Sequence, residues 1–585
     1  MIKFLFLSCF FTHSLLADLA LLTSPFETPT AHETVVFAKE KTALQSELLL
    51  CNRFAQAKNS SLFLGLKSAH ESKEFYTNHC KSKNSLAWLN SSLEFTPQAL
   101  ELLEAVEASG TQGLSPNRYN YKMIQETIQV LKTNVFANEA EKYAKYNRLD
   151  ILMSDAYLTL AKELYYGFTD WKIFQTLKTE PKKDDTNERK FEWDRDKKSA
   201  LMSVKYLTKN LEQNSISTSL EALRPNFIEY TRMMDALKYY RELTEKGGWQ
   251  TIPAGPTIRI GHNDARVELI KKRLFATAEL KEITTLEHTT YDEEELIEAV
   301  KSFQKSHNLK PDGLIGKKTI HALNVPASKI VEKIILNLER FRWLTPNLDK
   351  VPGYISINIP AFKMQLYEEG HERINMKVIV GRKDRPTPVT HSKLSYAVLN
   401  PSWTAPQTII KEDILAKNNI QAYLESHDME VFAQIDGESV PINPEEIDWD
   451  EYADRNHVPF IFKASTGKSN PLGDVKFMFN NKYSVYMHDT NQRYLFANST
   501  RAYSSGCIRL EEPTKLLTYL LENKGNIANT QEKSQDKVVQ LKKKLPLIIR
   551  YMTAEVDESN KVYFYDDIYG YDERHLLAVK GFNFE

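Results

Sequence analysis

The spacing of hydrophobic residues divides this chain into a helical first part and a strand-rich last part. Up to about residue 250, hydrophobic residues recur every three or four positions, most clearly at 149–167 and 232–245, and this period predicts amphipathic helices. From about residue 353 the period changes to two, which predicts β-strands. Two of these predicted strands flank the pair Glu369-Gly370, and this arrangement predicts a hairpin.

A short segment between the two parts has a pattern of its own. It predicts one helix that ends near Leu274, a second at 293–307 and a third that begins near Gly316. A Pro-Asp-Gly sequence between the second and third helices predicts a tight turn. We therefore predict a multidomain α+β chain with a helical scaffold at 18–255, a small three-helix domain at 256–328, a connecting helix at 329–352 and a mostly β domain at 353–585.

The predicted β domain is interrupted by an insertion at residues 405–455. The pattern at 409–417 is helical, and Asp436-Gly437 and the acidic residues after Pro444 are typical of turns. Long insertions inside a catalytic domain often serve as lids over the site. We therefore predict an inserted lid here.

The composition is that of an ordinary globular protein without excess basic charge. Hydrophobic residues make up 42% of the 585 residues, and 76 Lys and Arg balance 77 Asp and Glu, which gives a net charge of -1. This balance gives no support to a nucleic-acid partner. The strongly charged run at 178–198 is interpreted as a solvated loop or an exposed helix.

The N-terminus has the pattern of an export signal. Lys3 precedes an apolar run that reaches Leu16, and Ala17 follows at a suitable cleavage position, so residues 1–17 are predicted to be a secretory signal peptide. The run is shorter than the roughly 20 residues of a membrane-spanning helix. An uncleaved anchor or an ordinary buried segment is the alternative. We expect contact with the membrane only through this signal.

The cysteines fit an exported protein with one disulfide and one free thiol. Cys9 would leave with the signal, and Cys51 and Cys80 are close in sequence whereas Cys507 is distant. In an oxidising compartment this pattern predicts a Cys51 to Cys80 disulfide. Two unpaired buried thiols are the alternative. Cys507 is expected to be free in either case.

His488 and Cys507, 19 positions apart, are the best candidates for chemistry. The pattern at 482–488 predicts a strand with Tyr486 and His488 on one face. A thiol needs a base to become nucleophilic near neutral pH, and imidazole is well suited to that role. Gly506 allows the backbone before Cys507 to turn tightly. A buried structural Cys and an unrelated His remain the alternative.

His488-Asp489-Thr490, followed by Ser504-x-Gly506-Cys507-x-Arg509, resembles the signature of the YkuD-type L,D-transpeptidases of bacterial cell walls. The resemblance implies a two-step acyl transfer in which Cys507, deprotonated by His488, attacks the third residue of a tetrapeptide stem and releases D-alanine. A neighbouring stem amine then completes a 3-3 cross-link, without metal, nucleotide or other cofactor.

The resemblance also implies roles for neighbouring residues. The Gly506 and Cys507 amides would bind the oxyanion, and the segment at Ser505, commonly His in the family, would orient the imidazole through a main-chain carbonyl. Tyr486 would line the pocket. Arg509 would orient the loop or a substrate carboxylate, or form a buried ion pair.

Two further features extend the resemblance. Asn400-Pro401-x-Trp403 places Trp403 near the substrate groove, where it is either a platform for sugar or stem peptide or a core residue. The Asp489 side chain is expected on the opposite strand face from His488, so Asp489 is not assigned to a catalytic triad.

The three-helix segment, with Phe303-Gln304 and Asp312-Gly313-x-x-Gly316-x-x-Thr319, resembles a peptidoglycan-binding domain. A spacer between domains is the alternative. The helical part resembles the large, YcbB-like periplasmic branch of the family, which implies a periplasmic location and, as partners, peptidoglycan stem peptides, glycan and cell-wall synthesis proteins. The functional alternatives are an L,D-carboxypeptidase, in which water accepts the acyl group, and a non-catalytic wall-binding protein.

Overall fold

The structure is a computed structural model that describes residue 51 and residues 63–83, 85–177, 193–195, 204–283, 285–344, 351–416, 419–453, 455, 457–522 and 535–584. The predicted signal peptide at 1–17 and most of the charged run at 178–198 lie outside these residues. Within the described ranges, no helix is both long enough and apolar enough to cross a membrane.

The first part of the chain is helical, as predicted. The 28-residue α4 is its central helix, and most of its residues are buried on every side. Cys51 and Cys80 are joined in a disulfide with 5.0 Å between their Cα atoms. The helices are α1 (Ala69–Ser82), α2 (Pro97–Ala108), α3 (Tyr121–Thr133), α4 (Glu139–Tyr166), α5 (Trp171–Thr176), α6 (Val204–Glu212), α7 (Ile216–Glu221) and α8 (Ile228–Glu245).

The three-helix domain is confirmed, with α9 (Arg266–Ala276), α10 (Glu294–Ser306) and α11 (Lys317–Leu323) around a core of its own. The buried Gln304 side chain stabilises the turn between α10 and α11, since its Nε2 donates to the Leu314 carbonyl at 2.8 Å and its Oε1 accepts from the Gly313 amide at 2.9 Å. Gly313 adopts φ of 75°, a conformation that favours glycine.

The next helix, α12 (Ala327–Arg342), connects the helical part to the β domain. It is buried on most sides, and Ile334 and Leu338 belong to the same core as the scaffold helices and Met552. At its far end, the Arg340 guanidinium forms an ion pair of 2.7 Å with Asp572. The predicted connecting helix is therefore a core element shared by two domains.

The last part of the chain is mostly β. Its strands are β1 (Gly353–Asn358), β2 (Lys363–Glu368), β3 (His371–Gly381), β4 (Thr390–Leu399), β5 (Trp403–Thr404), β6 (Met429–Ile435), β7 (Glu438–Ile442), β8 (Phe460–Ala464), β9 (Val475–Phe479), β10 (Met487–His488), β11 (Ala502–Ser504), β12 (Ile508–Leu510), β13 (Lys537–Gln540), β14 (Pro546–Arg550), β15 (Ala554–Val556) and β16 (Val562–Phe564). The helices are α13 (Gln407–Ile409), α14 (Ile420–Ser426), α15 (Asp450–Ala453), α16 (Pro513–Leu521) and α17 (Tyr571–Ala578).

The main sheet follows the order β11-β3-β12-β10-β9-β4-β14-β1-β2, with β13 paired to β4. Because β2 also pairs with β3, the sheet closes on itself around an apolar core. The predicted hairpin is confirmed, since β2 and β3 pair antiparallel across Glu369 and Gly370, which both have positive φ. Three pairs, β1 with β14, β10 with β12 and β11 with β3, are parallel.

A second sheet, β5-β8-β6-β7, together with α13, the π-helix Ile410–Ile414 and α14 forms the inserted unit, which we call the lid. The lid has its own core, which includes Ile414 and Phe462. It extends over 403–464, beyond the predicted 405–455. The sequence analysis missed β6 and β7 because β7 is exposed and has no alternation of buried and exposed residues.

Two predictions about local structure are wrong. The strand predicted at 482–488 is limited to β10, because Lys482 and Tyr483 form a turn and Ser484 adopts φ of 57°. Trp193, inside the run interpreted as solvated, is buried in the core of the β domain. Its ring packs against Trp343 with centroids 5.4 Å apart.

Candidate active site

The parallel pair β10 and β12 brings the predicted catalytic residues together. His488 is opposite Arg509 in the ladder, and the Ile508 amide donates to the Tyr486 carbonyl at 3.0 Å. His488 and Arg509 are paired in this ladder, and Tyr486 and Cys507, each directly before one of the two strands, border the same cavity as these residues. The sequence thus places a thiol and an imidazole at neighbouring strands and beside the same cavity.

This cavity of about 840 Å³ lies between the sheet and the lid. The lid contributes Ile409, Asp413 and Tyr423 to the opposite wall. Each predicted catalytic or substrate-binding residue borders this cavity, namely Trp403, Tyr486, His488, Ser505, Gly506, Cys507 and Arg509.

The His488 ring is buried and has a defined tautomer. Its Nδ1 is 2.5 Å from the Asp489 main-chain oxygen, and because a carbonyl only accepts, Nδ1 carries the proton and Nε2 is the acceptor. Burial, with the positive charge of Arg509, lowers the pKa of His488 to about 3. The imidazole is therefore neutral near pH 7 and can act as a base.

The Cys507 thiol is half-buried and rests in the protonated form. Burial raises the pKa of Cys507 to about 11, although hydrogen bonds from Tyr486 and the charge of Arg509 act in the opposite direction. With a His488 pKa of about 3, a resting thiolate–imidazolium pair is unfavourable. Both groups therefore rest uncharged at the wall of the same cavity.

Two predicted roles need correction. The carbonyl that accepts from the imidazole belongs to Asp489, and the Ser505 hydroxyl instead accepts from Arg385 Nη1 at 3.0 Å. The Gly506 amide, predicted to be an oxyanion donor, donates to Ser504 Oγ at 3.2 Å. The contacts of His488 with Asp489 and of Gly506 with Ser504 are local, whereas the contact of Ser505 with Arg385 joins residues 120 positions apart.

Of the two roles predicted for Trp403, the structure agrees with that of a core residue. Its side chain is 8% exposed and packs in the lid core, so it has little ring surface to offer as a platform for a sugar. The Trp403 indole hydrogen-bonds to the Tyr486 hydroxyl, which also contacts the Cys507 thiol. Trp403 thus orients a hydroxyl beside the sulfur.

Arg509 faces the cavity without a carboxylate partner among the described residues. Its Nη1 donates to the Gln492 side-chain oxygen at 2.8 Å, whereas its Nε is buried without a hydrogen bond. This arrangement differs from the ion-pair alternative and leaves a positive charge available at the cavity wall.

The Asp489 carboxylate points away from the imidazole, as predicted. It accepts from the Asp474 amide at 3.0 Å and from Arg493 at 2.5 Å. A Cβ atom on Gly473 would lie 2.3 Å from this carboxylate, so only glycine fits there. Asp489 therefore fixes the end of β10, on which His488 stands.

The sequence analysis missed residues that hold the loop from outside. Thr387 Oγ1 donates to the Gly506 carbonyl at 2.9 Å, and the Arg385 side chain contacts Glu412 and Asp413 of the lid. These residues are far apart in the sequence, so spacing gave no signal for them. In the part of the chain that is described, no group of three His, Cys, Asp or Glu side chains could hold a metal ion.

Comparison with known proteins agrees with this architecture. Residues 352–539 match the family model of the L,D-transpeptidase catalytic domain, YkuD. Residues 70–237 match a Scaffold domain, and residues 263–323 match a "Putative peptidoglycan binding domain".

A curated protein from Haemophilus influenzae, described as a "Putative L,D-transpeptidase", is 34% identical over 277 residues. The match covers 45% of this chain and 53% of the relative, so the chain spans about half the length of the curated relative that it matches.

Solved structures with similarity include an L,D-transpeptidase from Mycobacterium smegmatis, at 12% identity and a TM-score of 0.18, covering 34% of this chain and 58% of that one. Another is the L,D-transpeptidase (residues 123-326) from Xylanimonas cellulosilytica, at 14% identity and a TM-score of 0.16, covering 51% of this chain and 99% of that one.

The matched segments correspond in order to the scaffold helices, the three-helix domain and the mostly β domain of this multidomain chain. The chain carries a catalytic domain of the YkuD L,D-transpeptidase family, together with a peptidoglycan-binding domain and a scaffold domain.

Proposed function

We propose that this protein is a peptidoglycan L,D-transpeptidase that forms 3-3 cross-links through an acyl-enzyme on Cys507. The observation that carries the proposal is the placement of the Cys507 thiol and the neutral His488 imidazole at the paired strands β10 and β12, beside a cavity covered by a lid. A family match to the catalytic domain supports the same reaction class.

In the first step, His488 Nε2 takes the thiol proton as the sulfur attacks the carbonyl of the diamino acid at position three of a tetrapeptide stem. The bond to the terminal D-alanine nitrogen breaks, and the proton is returned to that leaving amine. General-base assistance of this kind typically contributes about 10² to 10⁴ in rate. The product is a thioester with Cys507.

In the second step, an amine from a neighbouring stem attacks the thioester and His488 takes its excess proton. The thiol is then regenerated with a new peptide bond. The lid borders the cavity opposite the sulfur, and exclusion of water there would favour the amine over hydrolysis.

The developing oxyanion needs donors that are free at that moment. Because the Gly506 amide is engaged with Ser504, we assign this role to the Tyr486 hydroxyl, which contacts the thiol, together with the Cys507 amide. A single donor of this kind is typically worth about 10² to 10³ in rate.

The location and the partners follow from the same proposal. An export signal at residues 1–17 would deliver the chain to the periplasm, where its substrate is present. The three-helix domain would hold the enzyme on peptidoglycan, and cell-wall synthesis proteins are its expected neighbours.

The test incubates purified protein with a disaccharide-tetrapeptide and follows the products by mass spectrometry. Wild type is compared with Cys507→Ala and His488→Ala, with the exposed His70→Ala as the matched control. We expect D-alanine release and a cross-linked dimer from wild type and the control alone. Tripeptide without dimer would indicate the carboxypeptidase instead, and equal products from Cys507→Ala would exclude the cysteine mechanism.

A further inference from the structure

A buried arginine joins the lid to the loop that carries Cys507. Arg385 lies between β3 and β4, and only 1% of it is exposed. Its guanidinium contacts Glu412 and Asp413 of the lid π-helix and Ser505 of the catalytic loop. One side chain therefore touches both walls of the cavity region.

The hydrogen bonding of this guanidinium is nearly complete. Its Nε donates to Glu412 at 2.9 Å, and its Nη2 donates to the same carboxylate. Its Nη1 donates to Asp413 at 2.5 Å and to Ser505 Oγ at 3.0 Å. Arginine has five N–H donors in a fixed planar arrangement, so these bonds define the position of the lid relative to the loop.

A second arginine supports the contact at the surface. The Arg382 guanidinium donates to Asp413 at 3.1 Å and to Asp384 at 2.8 Å. It is 31% exposed, whereas the Arg385 side chain is 2% exposed. The contribution of Arg382 is therefore expected to be smaller.

The backbone around Arg385 is fixed to the sheet and to the catalytic loop. The Gly381 amide donates to Thr387 Oγ1 at 2.8 Å, and that hydroxyl donates to the Gly506 carbonyl at 2.9 Å. The Tyr569 hydroxyl donates to the Gly381 carbonyl at 2.7 Å. Movement of this segment would thus be transmitted to the residue before Cys507.

The charges make the contact asymmetric. Glu412 is 41% exposed and Asp413 is 29% exposed, so water can solvate both carboxylates if the lid moves away. Arg385, whose side chain is 2% exposed in this arrangement, would lose both of its counter-charges, which is unfavourable. The closed lid is therefore coupled to the arrangement of Ser505, Gly506 and Cys507.

We propose that Arg385 is a positioning residue that couples closure of the lid to the conformation of the catalytic loop. The coupling itself is independent of the reaction. Its consequence, that closure sets the ratio of cross-linking to hydrolysis of the acyl-enzyme, rests on the proposed function.

The first experiment measures access to Cys507 in the full-length protein without substrate. Alkylation rates are measured with iodoacetamide and with a bulky maleimide, after subtraction of the rate for Cys507→Ala. We compare wild type with the single variants Glu412→Gln and Asp413→Asn and with the double variant. Glu425→Gln is the matched control, because this exposed lid carboxylate accepts from the Gln421 side chain at 2.8 Å and is not part of the contact with Arg385.

If Arg385 holds the lid closed, the double variant reacts with the maleimide about 10-fold faster, a size typical of coupled charge networks. The rate with iodoacetamide changes less because this smaller reagent enters through smaller openings. Glu425→Gln reacts with both reagents at the rate of wild type. Equal maleimide rates in the double variant and in Glu425→Gln would overturn the proposal. Each single variant retains one carboxylate, so the same comparison of maleimide rates can be made with the single variants if the double variant does not fold.

A double-mutant cycle then separates coupling from simple loss of stability. Arg385→Met is combined with the double variant, and Arg385→Lys serves as the conservative replacement. We expect the effects on the maleimide rate to be non-additive, with partial rescue by lysine, which keeps the charge but loses the planar contacts. Additive effects and no rescue would show that Arg385 has only a structural role.

The product ratio provides the readout that depends on the proposed function. Among variants that remain active, we expect the ratio of cross-linked dimer to tripeptide to fall when Glu412 and Asp413 are both neutralised. If the maleimide reaction is faster but the ratio of dimer to tripeptide is unchanged, the lid is coupled to the catalytic loop but does not affect hydrolysis of the acyl-enzyme. A wild type without any turnover would reject the proposed function and leave the alkylation result standing.

Discussion

At the scale of single residues, the resting charge state of Cys507 decides the kind of catalysis. A thiol with a pKa of about 11 beside an imidazole with a pKa of about 3 does not ionise spontaneously near pH 7. The two values have the same main cause, which is burial of groups that would otherwise be charged. In the proposed reaction, the proton is therefore transferred as the sulfur attacks the substrate.

This state predicts the pH dependence of Cys507 alkylation. Iodoacetamide reacts with the thiolate, whose fraction rises about 10-fold per pH unit below the thiol pKa. Because the folded thiol pKa is raised to about 11, the rate should increase continuously from pH 6 to pH 9. The measurement is the difference in rate between wild type and Cys507→Ala. A plateau beginning near pH 5 would instead indicate a resting ion pair.

The hydroxyl of Tyr486 leads to a second prediction. Tyr486→Phe removes the donor that contacts the Cys507 thiol, so D-alanine release should fall by about 10² at unchanged KM. Tyr503→Phe is the matched control, since Tyr503 also borders the cavity but its hydroxyl accepts from Asn498 at 3.0 Å. Equal rates for both variants would remove Tyr486 from the oxyanion site.

Several site residues could be found from the sequence because they belong to a short motif, His488-Asp489-Thr490 followed by Ser504-x-Gly506-Cys507-x-Arg509. The hydrogen-bond partners of these residues could not be found in the same way. The spacing gives Cys507 and His488, but it does not reveal that Asp489 provides the carbonyl for the imidazole or that Arg385 contacts Ser505. The contact of Arg385 with Ser505 depends on where separate segments meet in three dimensions, whereas that of His488 with Asp489 depends on local geometry that residue spacing does not specify.

At the scale of elements, the short strand β10 is held from its end. Its register with β9 and β12 covers only Met487 and His488, so few main-chain hydrogen bonds fix it. The Asp489 carboxylate adds a contact to the Asp474 amide, directly after Gly473. The fit between Gly473 and this carboxylate is therefore important for the position of the imidazole.

Gly473→Ala should damage this element more than an equivalent change elsewhere. Gly473 has φ of 56° and its Cβ would lie 2.3 Å from Asp489, whereas Gly437, with φ of 87°, has nothing within 4 Å. Backbone strain of about 1 to 3 kcal/mol applies to both positions, and the clash applies to Gly473 alone. We expect the midpoint of urea unfolding to fall further for Gly473→Ala than for the control Gly437→Ala, and we expect Gly473→Ala to lose activity. Equal midpoints would show that the loop relaxes.

Elements fixed by local chemistry were predicted well, and elements fixed by tertiary contacts were not. The β2–β3 hairpin follows from Glu369-Gly370, whose positive φ values suit a tight turn. The residues before β10 have the composition of a strand, but Ser484 turns the chain away. Strand β7 of the lid escaped notice because its exposed side chains do not alternate with buried ones.

At the scale of the whole molecule, the scaffold and the β domain share one core through α12. Ile334 and Leu338 of α12 pack in the same cluster as the scaffold helices and Met552. Trp193, from the scaffold part of the sequence, lies in the core of the β domain. Neither contact has a local sequence signal, because each depends on residues more than a hundred positions away.

This shared core predicts that one buried charge on α12 affects both domains. Arg340 is buried and forms ion pairs with Asp572 at 2.7 Å, and its Nη2 donates to the Tyr571 carbonyl at 3.1 Å. Arg340→Met leaves the carboxylate without this partner in a mostly buried place, which typically lowers the free energy of unfolding by about 3 to 5 kcal/mol.

The measurement is urea unfolding of the full chain, followed both by circular dichroism, which is dominated by the scaffold helices, and by tryptophan fluorescence. Lys329→Met on the same helix is the control, because the Lys329–Glu332 pair is exposed and should contribute no more than about 1 kcal/mol. If the domains share their stability, Arg340→Met moves both signals to lower urea together. A shift in fluorescence alone would show that the scaffold unfolds independently, and α12 would then be a connector that packs against both domains without coupling their stability.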